Sequence, residues 1–179
     1  MKNIFFILSL ALVSCFNSNP DKTPEEKAKE NVTTFYFIRH AEKATDQGSD
    51  PELTEKGKKR AEQWVNYFFL KDLDHVISSD FKRTKATAAP LAKAKKLDIE
   101  IYDVREVTGA SLLDTYRGKT VALFGHSNTI NAYANELQND SVYKDLEETD
   151  YDHFFIVRID KDGNSNAIME SIDFMEYDD

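Results

Sequence analysis

The stretch TTFYFIRHAEK, residues 33–43, decides the fold. Thr33 to Ile38 is a run of β-branched and aromatic residues with almost no polar positions, which predicts a strand covered on both faces. The run ends abruptly in Arg39 and His40, a cation beside an imidazole. Ligands bind at the carboxyl ends of strands in sheets with covered faces, so this pair lies where chemistry is expected.

Strand and helix patterns alternate along the rest of the chain. Helical spacing of apolar residues behind a cap at Thr54 predicts a helix over Leu53–Phe69. The other predicted helices are Asp80–Lys96, Ser111–Tyr116 and Asn128–Gln138, the last capped by Ser127 and Asn128, and the other predicted strands are Asp74–Ser79, Asp98–Tyr102, Lys119–Ser127, His153–Asp160 and Asn166–Phe174. This order predicts an α/β fold, a three-layer α/β/α sandwich with a mostly parallel central sheet.

Composition limits the class of partner. The chain has 179 residues, enough for one ordinary domain, and its net charge is −9. Nucleic-acid phosphates require a basic surface, so this charge argues against a nucleic-acid partner. Any anion that the protein binds must be held by a local cluster of positive groups.

The first residues resemble an export signal with a lipid attachment site. Ile4 to Val13 is an apolar run behind Lys2, too short for a membrane span of about 20 residues but suited to a signal peptide. Its end, Leu12 to Cys15, is similar to the lipobox of bacterial lipoproteins, in which the cysteine thiol takes a diacylglycerol and becomes the new N-terminus. Cys15 is the only cysteine in the sequence, so no internal disulfide can form.

These features divide the chain into three parts. A signal peptide is expected at 1–14, the lipidated Cys15 with a flexible tether at 15–32, and the folded domain at 33–179. A short surface helix over Pro24–Glu30 is the competing interpretation of the tether.

The resemblance to lipoproteins implies an exported protein on a bacterial membrane, with its domain in the periplasm. The residue that follows the lipid-bearing Cys15 is Phe16 and not Asp, the residue that retains lipoproteins at the inner membrane in enteric-type sorting. The outer membrane is therefore favoured.

The predicted strand ends carry a set of residues suited to a phosphoryl group. The first strand ends in Arg39 and His40, the second leads to Arg83, and the fourth ends at His126. Arginine forks match phosphate oxygens. One neutral imidazole can attack phosphorus, and a second can donate to the oxygens that carry the charge.

Metal and nucleotide chemistry have no support in the motifs. The sequence contains no HExxH, HxH or paired-cysteine spacing for zinc and no G-x-x-x-x-G-K-[ST] loop. We therefore expect a metal-independent reaction without a cofactor.

Four segments together resemble a known family. IRHAEK at 38–43, LTEKGKKRA at 53–61, SSDFKRTKAT at 78–87 and FGHSNTI at 124–130 look like the four ordered motifs of the histidine phosphatase superfamily, the phosphoglycerate-mutase-like proteins. The likeness is closest to the small SixA-like branch. Ala41 stands where the family signature has glycine, a change that keeps a small side chain.

The resemblance implies a role for each matched residue. His40 would be the nucleophile that forms a phosphohistidine, Arg39 and Arg83 would bind the phosphate, and His126 would donate to the transferring group. Larger relatives use a carboxylate after the third strand as general acid. Here the segment YDVREV offers Glu106, preferred for its likeness to the family's acid segment, or Asp103, and a third possibility is that no dedicated acid exists.

The predicted function is therefore that of a metal-independent phosphohydrolase acting on a small phosphorylated substrate of the phosphomonoester type. Two alternatives remain: a non-catalytic binding module of the same fold, and a protein phosphohistidine phosphatase. The sequence indicates no oligomeric state.

Overall fold

The computed structural model describes residues 32–172. The predicted signal peptide, the lipidated Cys15 and nearly all of the tether lie outside the described residues, as does the acidic C-terminal end from residue 173 onward. Among the described residues, no helix is both long enough and apolar enough to cross a membrane.

A six-stranded sheet forms the middle of the domain. Its strands are β1 Thr33–Arg39, β2 His75–Ser79, β3 Ile99–Tyr102, β4 Thr120–Gly125, β5 His153–Ile159 and β6 Ser165–Ser171, arranged in the order β3-β2-β4-β1-β5-β6. The four strands from β3 to β1 are parallel, and β5 and β6 are antiparallel to their neighbours. The prediction of a mostly parallel sheet is confirmed.

Helices cover both faces of the sheet. They are α1 Glu55–Tyr67, α2 Lys82–Lys95, α3 Gly109–Thr115 and α4 Ile130–Gln138. Trp64 of α1 and Leu91 of α2 pack with Ile38 and Phe124 on one face. Side chains of α3 and α4 pack with Phe35 and Phe37 on the other face. Because consecutive residues of β1 point to opposite apolar layers, all four residues from Phe35 to Ile38 are apolar or aromatic and buried. The predicted three-layer sandwich is confirmed.

The turn after β4 differs from its prediction. The strand ends at Gly125 rather than Ser127, and α4 begins at Ile130 with Thr129 as its N-cap residue. Thr129 Oγ1 accepts a hydrogen bond from the backbone N–H of His126 at 3.1 Å. The carbonyl oxygen of His126 accepts the backbone N–H of Thr129 at 3.1 Å. This tight turn precedes the helix, so Ser127 and Asn128 do not cap it.

The start of α1 supports the loop after β1. Thr54 caps the helix as predicted, because its Oγ1 accepts the N–H of Gly57 at 3.0 Å. The backbone N–H of Thr54 donates to the carbonyl oxygen of Glu42 at 2.9 Å. A Cβ at Gly57 would overlap that same carbonyl oxygen. The helix therefore packs its first turn directly against the loop that follows His40.

Candidate active site

Three adjacent strands end at one place. β1 and β2 lie on either side of β4, and Arg39 of β1 is in register with Gly125 of β4. The backbone N–H of His40 donates to the carbonyl oxygen of Gly125 at 2.9 Å. A Cβ at Gly125 would lie 2.9 Å from the hydroxyl oxygen of Tyr102, so a larger residue would not fit before His126. The sheet thus brings His40 and His126 to the same edge.

His40 is buried and held as a neutral base. Its Nδ1–H donates to the carbonyl oxygen of Ala41 at 2.8 Å, which leaves the lone pair on Nε2. Burial, together with the smaller effects of the charges of Arg83, His126 and Arg39, lowers the pKa of His40 to about 3, although the hydrogen bond to the carbonyl oxygen of Ala41 acts in the opposite direction. The ring is therefore unprotonated at pH 7, the form that a nucleophile requires.

The ring of His126 lies 5.6 Å from that of His40, measured between centroids. Its Nε2 is 3.0 Å from Ser79 Oγ, and its Nδ1 is 3.5 Å from Nη2 of Arg83. Since the hydroxyl of Ser79 donates to Thr84 Oγ1 at 2.9 Å, its oxygen accepts the Nε2–H of His126. The tautomer of His126 is thereby fixed with its Nδ1 lone pair toward Arg83. Burial lowers the pKa of His126 to about 4, with Arg83 the largest charge contribution.

Arg83 presents buried donors without hydrogen-bond partners at the site. Its Nε and Nη1 are buried and make no hydrogen bond within the described residues. The guanidinium carbon lies 4.4 Å from the ring centroid of Phe81. Asp50 forms an ion pair with Nη1 at 3.6 Å, which is longer than a hydrogen bond. Buried donors are normally satisfied, so two open guanidinium nitrogens beside two imidazoles mark a place for an anion. Thr87 links α2 to the residue after His40. Its hydroxyl donates to the carbonyl oxygen of Arg83 at 2.7 Å and accepts the backbone N–H of Ala41.

Arg39 has a different arrangement. Its Nη1 donates to the carbonyl oxygens of Glu147 at 2.6 Å and Asp150 at 2.7 Å. Its Nη2 donates to the carbonyl oxygen of Glu148 at 3.1 Å and to that side chain's Oε2 at 3.0 Å. Both terminal nitrogens therefore bind the segment before β5, whereas the buried Nε has no hydrogen-bond partner among residues 32–172.

The segment 147–152 contributes residues that the motifs did not point to. Glu148 lies between Arg39 and Lys43, whose Nζ is 2.8 Å from Glu148 Oε1. The hydrogen bond from Lys43 holds the pKa of Glu148 below its usual range. Tyr151 packs beneath Arg39, with the guanidinium carbon 4.5 Å from the ring centroid, and its ring is 6.2 Å from that of His40. The acidic run before β5 was visible in the sequence, but its position depends on β5 running antiparallel to β1.

A buried arginine ties this segment to the loop after His40. Arg60 of α1 donates from Nε and Nη2 to the two carboxylate oxygens of Glu42, at 2.9 and 2.8 Å. Its Nη1 donates to Asp152 Oδ1 at 2.6 Å. Glu42 is therefore an internal partner of Arg60 rather than a solvated side chain.

The two carboxylates considered as general acids lie after β3. Asp103 accepts two hydrogen bonds from the side chain of Arg105, and this pairing lowers the pKa of Asp103 to about 2. A carboxyl held ionised in this way is a poor proton donor. Glu106 is exposed, and within residues 32–172 no hydrogen bond or ion pair joins it to His40, His126 or Arg83.

Metal ligands do not cluster in the part of the chain that the structure describes: no group of three or more His, Cys, Asp or Glu side chains there could hold a metal ion. Arg83 lies beside His126, and the charges of Arg83 and Arg39 act on both imidazoles. This is the environment of an anion site.

Comparison with known proteins agrees with this geometry. The matching family is the histidine phosphatase superfamily (branch 1). Its match spans residues 35–108, which include Arg39, His40 and Arg83 but not His126. Phosphoserine phosphatase 1 of Hydrogenobacter thermophilus (strain DSM 6534 / IAM 12695 / TK-6) is 40% identical over 74 residues, covering 38% of this chain and 35% of the relative. The chain thus matches about a third of that relative's length.

Solved structures show the fold over most of the chain. The protein histidine phosphatase SixA complexed with tungstate has a TM-score of 0.63 at 21% identity, covering 77% of this chain and 96% of that one. Phosphoserine phosphatase from Entamoeba histolytica, complexed with 3-phosphoglyceric acid, has a TM-score of 0.56 at 16% identity, covering 80% and 98%. The phosphoglycerate-mutase-like fold is confirmed.

Proposed function

We propose that this protein is a phosphatase that hydrolyses small phosphomonoesters through a phosphohistidine on His40. The observation that carries the proposal is the pairing of a buried, neutral His40 with the open nitrogens of Arg83. The hydrogen bond from Nδ1–H fixes the orientation of the ring, and the lone pair on Nε2 is free to act as the nucleophile. The non-catalytic alternative gives no reason for holding that tautomer.

In the first step, Nε2 of His40 attacks phosphorus and the ester oxygen leaves with its electron pair. Arg83 binds the equatorial oxygens through Nε and Nη1, and Arg39 contributes Nε. His126 donates to the same oxygens once it has taken a proton, because a bound dianion favours the charged imidazole. In the second step, water attacks the phosphohistidine, and His40 Nε2 leaves with the electron pair of the N–P bond.

The leaving oxygen of an alkyl ester needs a proton. Glu106 is the proposed donor, since Asp103 is held ionised by Arg105. A leaving group that is a weak base needs no such donor. Phosphoserine is the first substrate to test, because a curated relative is named for it. A phosphohistidine protein is the second, because a solved structure of similar fold is named for that activity.

The direct test is turnover of p-nitrophenyl phosphate by the purified protein, with and without EDTA. We expect activity that survives EDTA and is lost in His40→Ala. Activity that requires a metal, or that persists in His40→Ala, would contradict the mechanism. A wild type that binds phosphate but is inert on aryl, alkyl and histidine phosphates would show the binding module instead.

We further propose that the protein is exported and carries a lipid on Cys15, with its domain in the periplasm, and that the outer membrane holds the anchor. The lipobox-like Leu12–Cys15 and the absence of any other cysteine support this. Metabolic labelling with a fatty acid in a bacterial host should label the wild type and not Cys15→Ala. Equal labelling of both proteins would refute the anchor. Fractionation of inner and outer membranes tests the choice of membrane.

A further inference from the structure

An exposed apolar pair stands at the end of the molecule opposite the active site. Phe69 and Leu70 follow α1, and their exposed fractions of 75% and 90% are the largest among the exposed large apolar residues of the described chain. Contiguous exposed apolar side chains of this size are typical of an interaction surface. Three lysines, Lys71, Lys95 and Lys96, lie in the same turn or at the adjacent end of α2.

The turn that carries this pair is held in shape by hydrogen bonds from lysine side chains. Lys95 Nζ donates to the carbonyl oxygen of Lys71 at 2.7 Å and of Phe69 at 3.4 Å. Lys71 Nζ donates to the carbonyl oxygen of Tyr67 at 2.8 Å and lies 3.8 Å from that ring's centroid. Phe68, fully buried, fixes the turn to the core. The exposed pair therefore projects from an ordered turn.

This turn lies at the end of the sheet where the chain enters the domain. Asp74, just beyond the turn, donates its backbone N–H to Thr120 at the start of β4. Thr34, at the start of β1, donates its backbone N–H to Lys119. The parallel strands β1, β2 and β4 all begin here, and residues 1–31 join the domain at this edge. The candidate active site is at the other end of the same strands.

We propose that Phe69, Leu70 and the three lysines form a docking surface for an anionic lipid bilayer, so that the active site faces away from the membrane. The inference rests on the proposed lipid anchor at Cys15. Apolar side chains flanked by lysines suit the boundary between acyl chains and anionic headgroups. Three exposed carboxylates, Asp72, Asp74 and Asp98, lie nearby. Asp74 is paired with Lys119 at 3.8 Å, so the electrostatic attraction is small and the apolar pair contributes most of the binding. An anchored domain meets the bilayer at high effective concentration, so even a small apolar surface is sufficient.

A lipid surface fits these observations better than a protein partner. The net charge of −9 would keep most of the surface away from anionic headgroups. The lysines lie beside the exposed pair, at the end of the domain where the chain enters β1. Docking there leaves the substrate's approach to His40 and Arg83 open to the aqueous side.

The test uses the full protein purified with its lipid and reconstituted into vesicles of phosphatidylethanolamine, with or without phosphatidylglycerol. Cys15 is the only native cysteine, and the lipid occupies its thiol, so one introduced cysteine takes a nitrobenzoxadiazole label alone. Leu70→Cys reports on the docking surface. Ser49→Cys is the matched control, because Ser49 is exposed and lies on the active-site side of the domain, away from the proposed docking surface. Its neighbour Asp50 contacts the start of α2 and Arg83.

We expect the label at 70 to shift to the blue, to gain intensity several-fold, and to be quenched by brominated lipid, most strongly with phosphatidylglycerol present. The label at 49 should show none of these changes. Adding Phe69→Ser to Leu70→Cys should reduce the shift while leaving the protein vesicle-bound and active.

Three results would overturn the inference in distinguishable ways. A protein that floats with the vesicles but shows no change at 70 keeps its anchor and does not dock. Shielding of the label at 70 only by an added protein would point to a protein partner instead. A protein that carries no lipid refutes the anchor, and with it the docking surface. Phosphatase activity is measured separately and does not depend on any of these three outcomes.

Discussion

His126 illustrates how a buried hydroxyl determines what an imidazole can do. Ser79 Oγ accepts the Nε2–H of His126 because its own proton goes to Thr84. Without this acceptor the ring can adopt the other tautomer or rotate, and its Nδ1 is no longer directed toward the anion. The motif SSDFKRTKAT thus contributes a residue that positions His126 in addition to Arg83.

Replacing Ser79 tests this positioning role. Ser79→Ala should lower kcat about tenfold, equivalent to one lost hydrogen bond, with a smaller change in KM. Ser78→Ala is the control, because Ser78 is equally buried and its hydroxyl donates only to a carbonyl oxygen in the described structure. Steady-state kinetics on p-nitrophenyl phosphate measure both. Equal effects in the two variants would indicate a packing role.

The low pKa of His126 predicts that anion binding takes up a proton. The free ring, with a pKa of about 4, is neutral at pH 7 and must become charged to donate to an oxyanion. Sulfate remains a dianion at this pH, so calorimetry in buffers of different ionisation enthalpy should show uptake of up to one proton. Because binding consumes a proton, sulfate affinity should fall as pH rises through the pKa of the bound state.

His126→Gln supplies the control for that titration. Glutamine keeps a donor of similar reach but cannot titrate, so sulfate should bind without proton uptake and with little dependence on pH. Uptake that persists in His126→Gln would assign the proton to another group.

Glu106 is the proposed proton donor to the leaving oxygen. If it protonates the leaving oxygen, Glu106→Gln should slow hydrolysis of phosphoserine by 10²-fold or more, the order typical of general acids, and affect p-nitrophenyl phosphate much less. Asp103→Asn is the control, since Asp103 is engaged by Arg105. Comparing kcat/KM for the two esters in each variant separates the cases. Equal, small effects on both esters would mean that no dedicated acid acts at this position.

Among the elements, the first turn of α1 bears most directly on His40. The backbone N–H of Thr54 donates to the carbonyl oxygen of Glu42, and Gly57 packs closely against the same oxygen. Arg60 binds the side-chain carboxylate of Glu42. The LTEKG stretch was predicted as a helix start with a cap. Its glycine is explained only by the close approach of a loop from another part of the chain.

Gly57→Ala should therefore destabilise the protein. Alanine favours a helix over glycine by about 1 kcal/mol, but its Cβ would overlap the Glu42 carbonyl oxygen, and relieving such overpacking costs about 1–3 kcal/mol. We expect a net loss of stability and a lower kcat, because the loop after His40 must move. Urea unfolding and kinetics measure the two effects, with Glu62→Ala, on the exposed face of α1, as the control. A stabilised Gly57→Ala would show that the loop yields freely.

At the scale of the whole molecule, periodicity along the chain was enough to predict the elements and the sheet edge that gathers Arg39, His40, Arg83 and His126. It was not enough to predict the segment 147–152. That segment lies at the site because β5 pairs antiparallel with β1, so that Ile38 meets Phe154 and the residues before β5 reach Arg39. Strand direction at a long sequence separation leaves no local pattern, so the contacts of Arg39 with Glu147 and Asp150 could not be foreseen.

The central claim is that the phosphoryl group is transferred to Nε2 of His40. The most direct measurement is to trap the resulting phosphohistidine. Rapid acid-free denaturation during turnover of a ³²P-labelled ester, followed by peptide mapping, should find an acid-labile phosphoryl group on His40 in the wild type and none in His40→Ala. Label on another residue, or full turnover with no label at His40, would contradict the account.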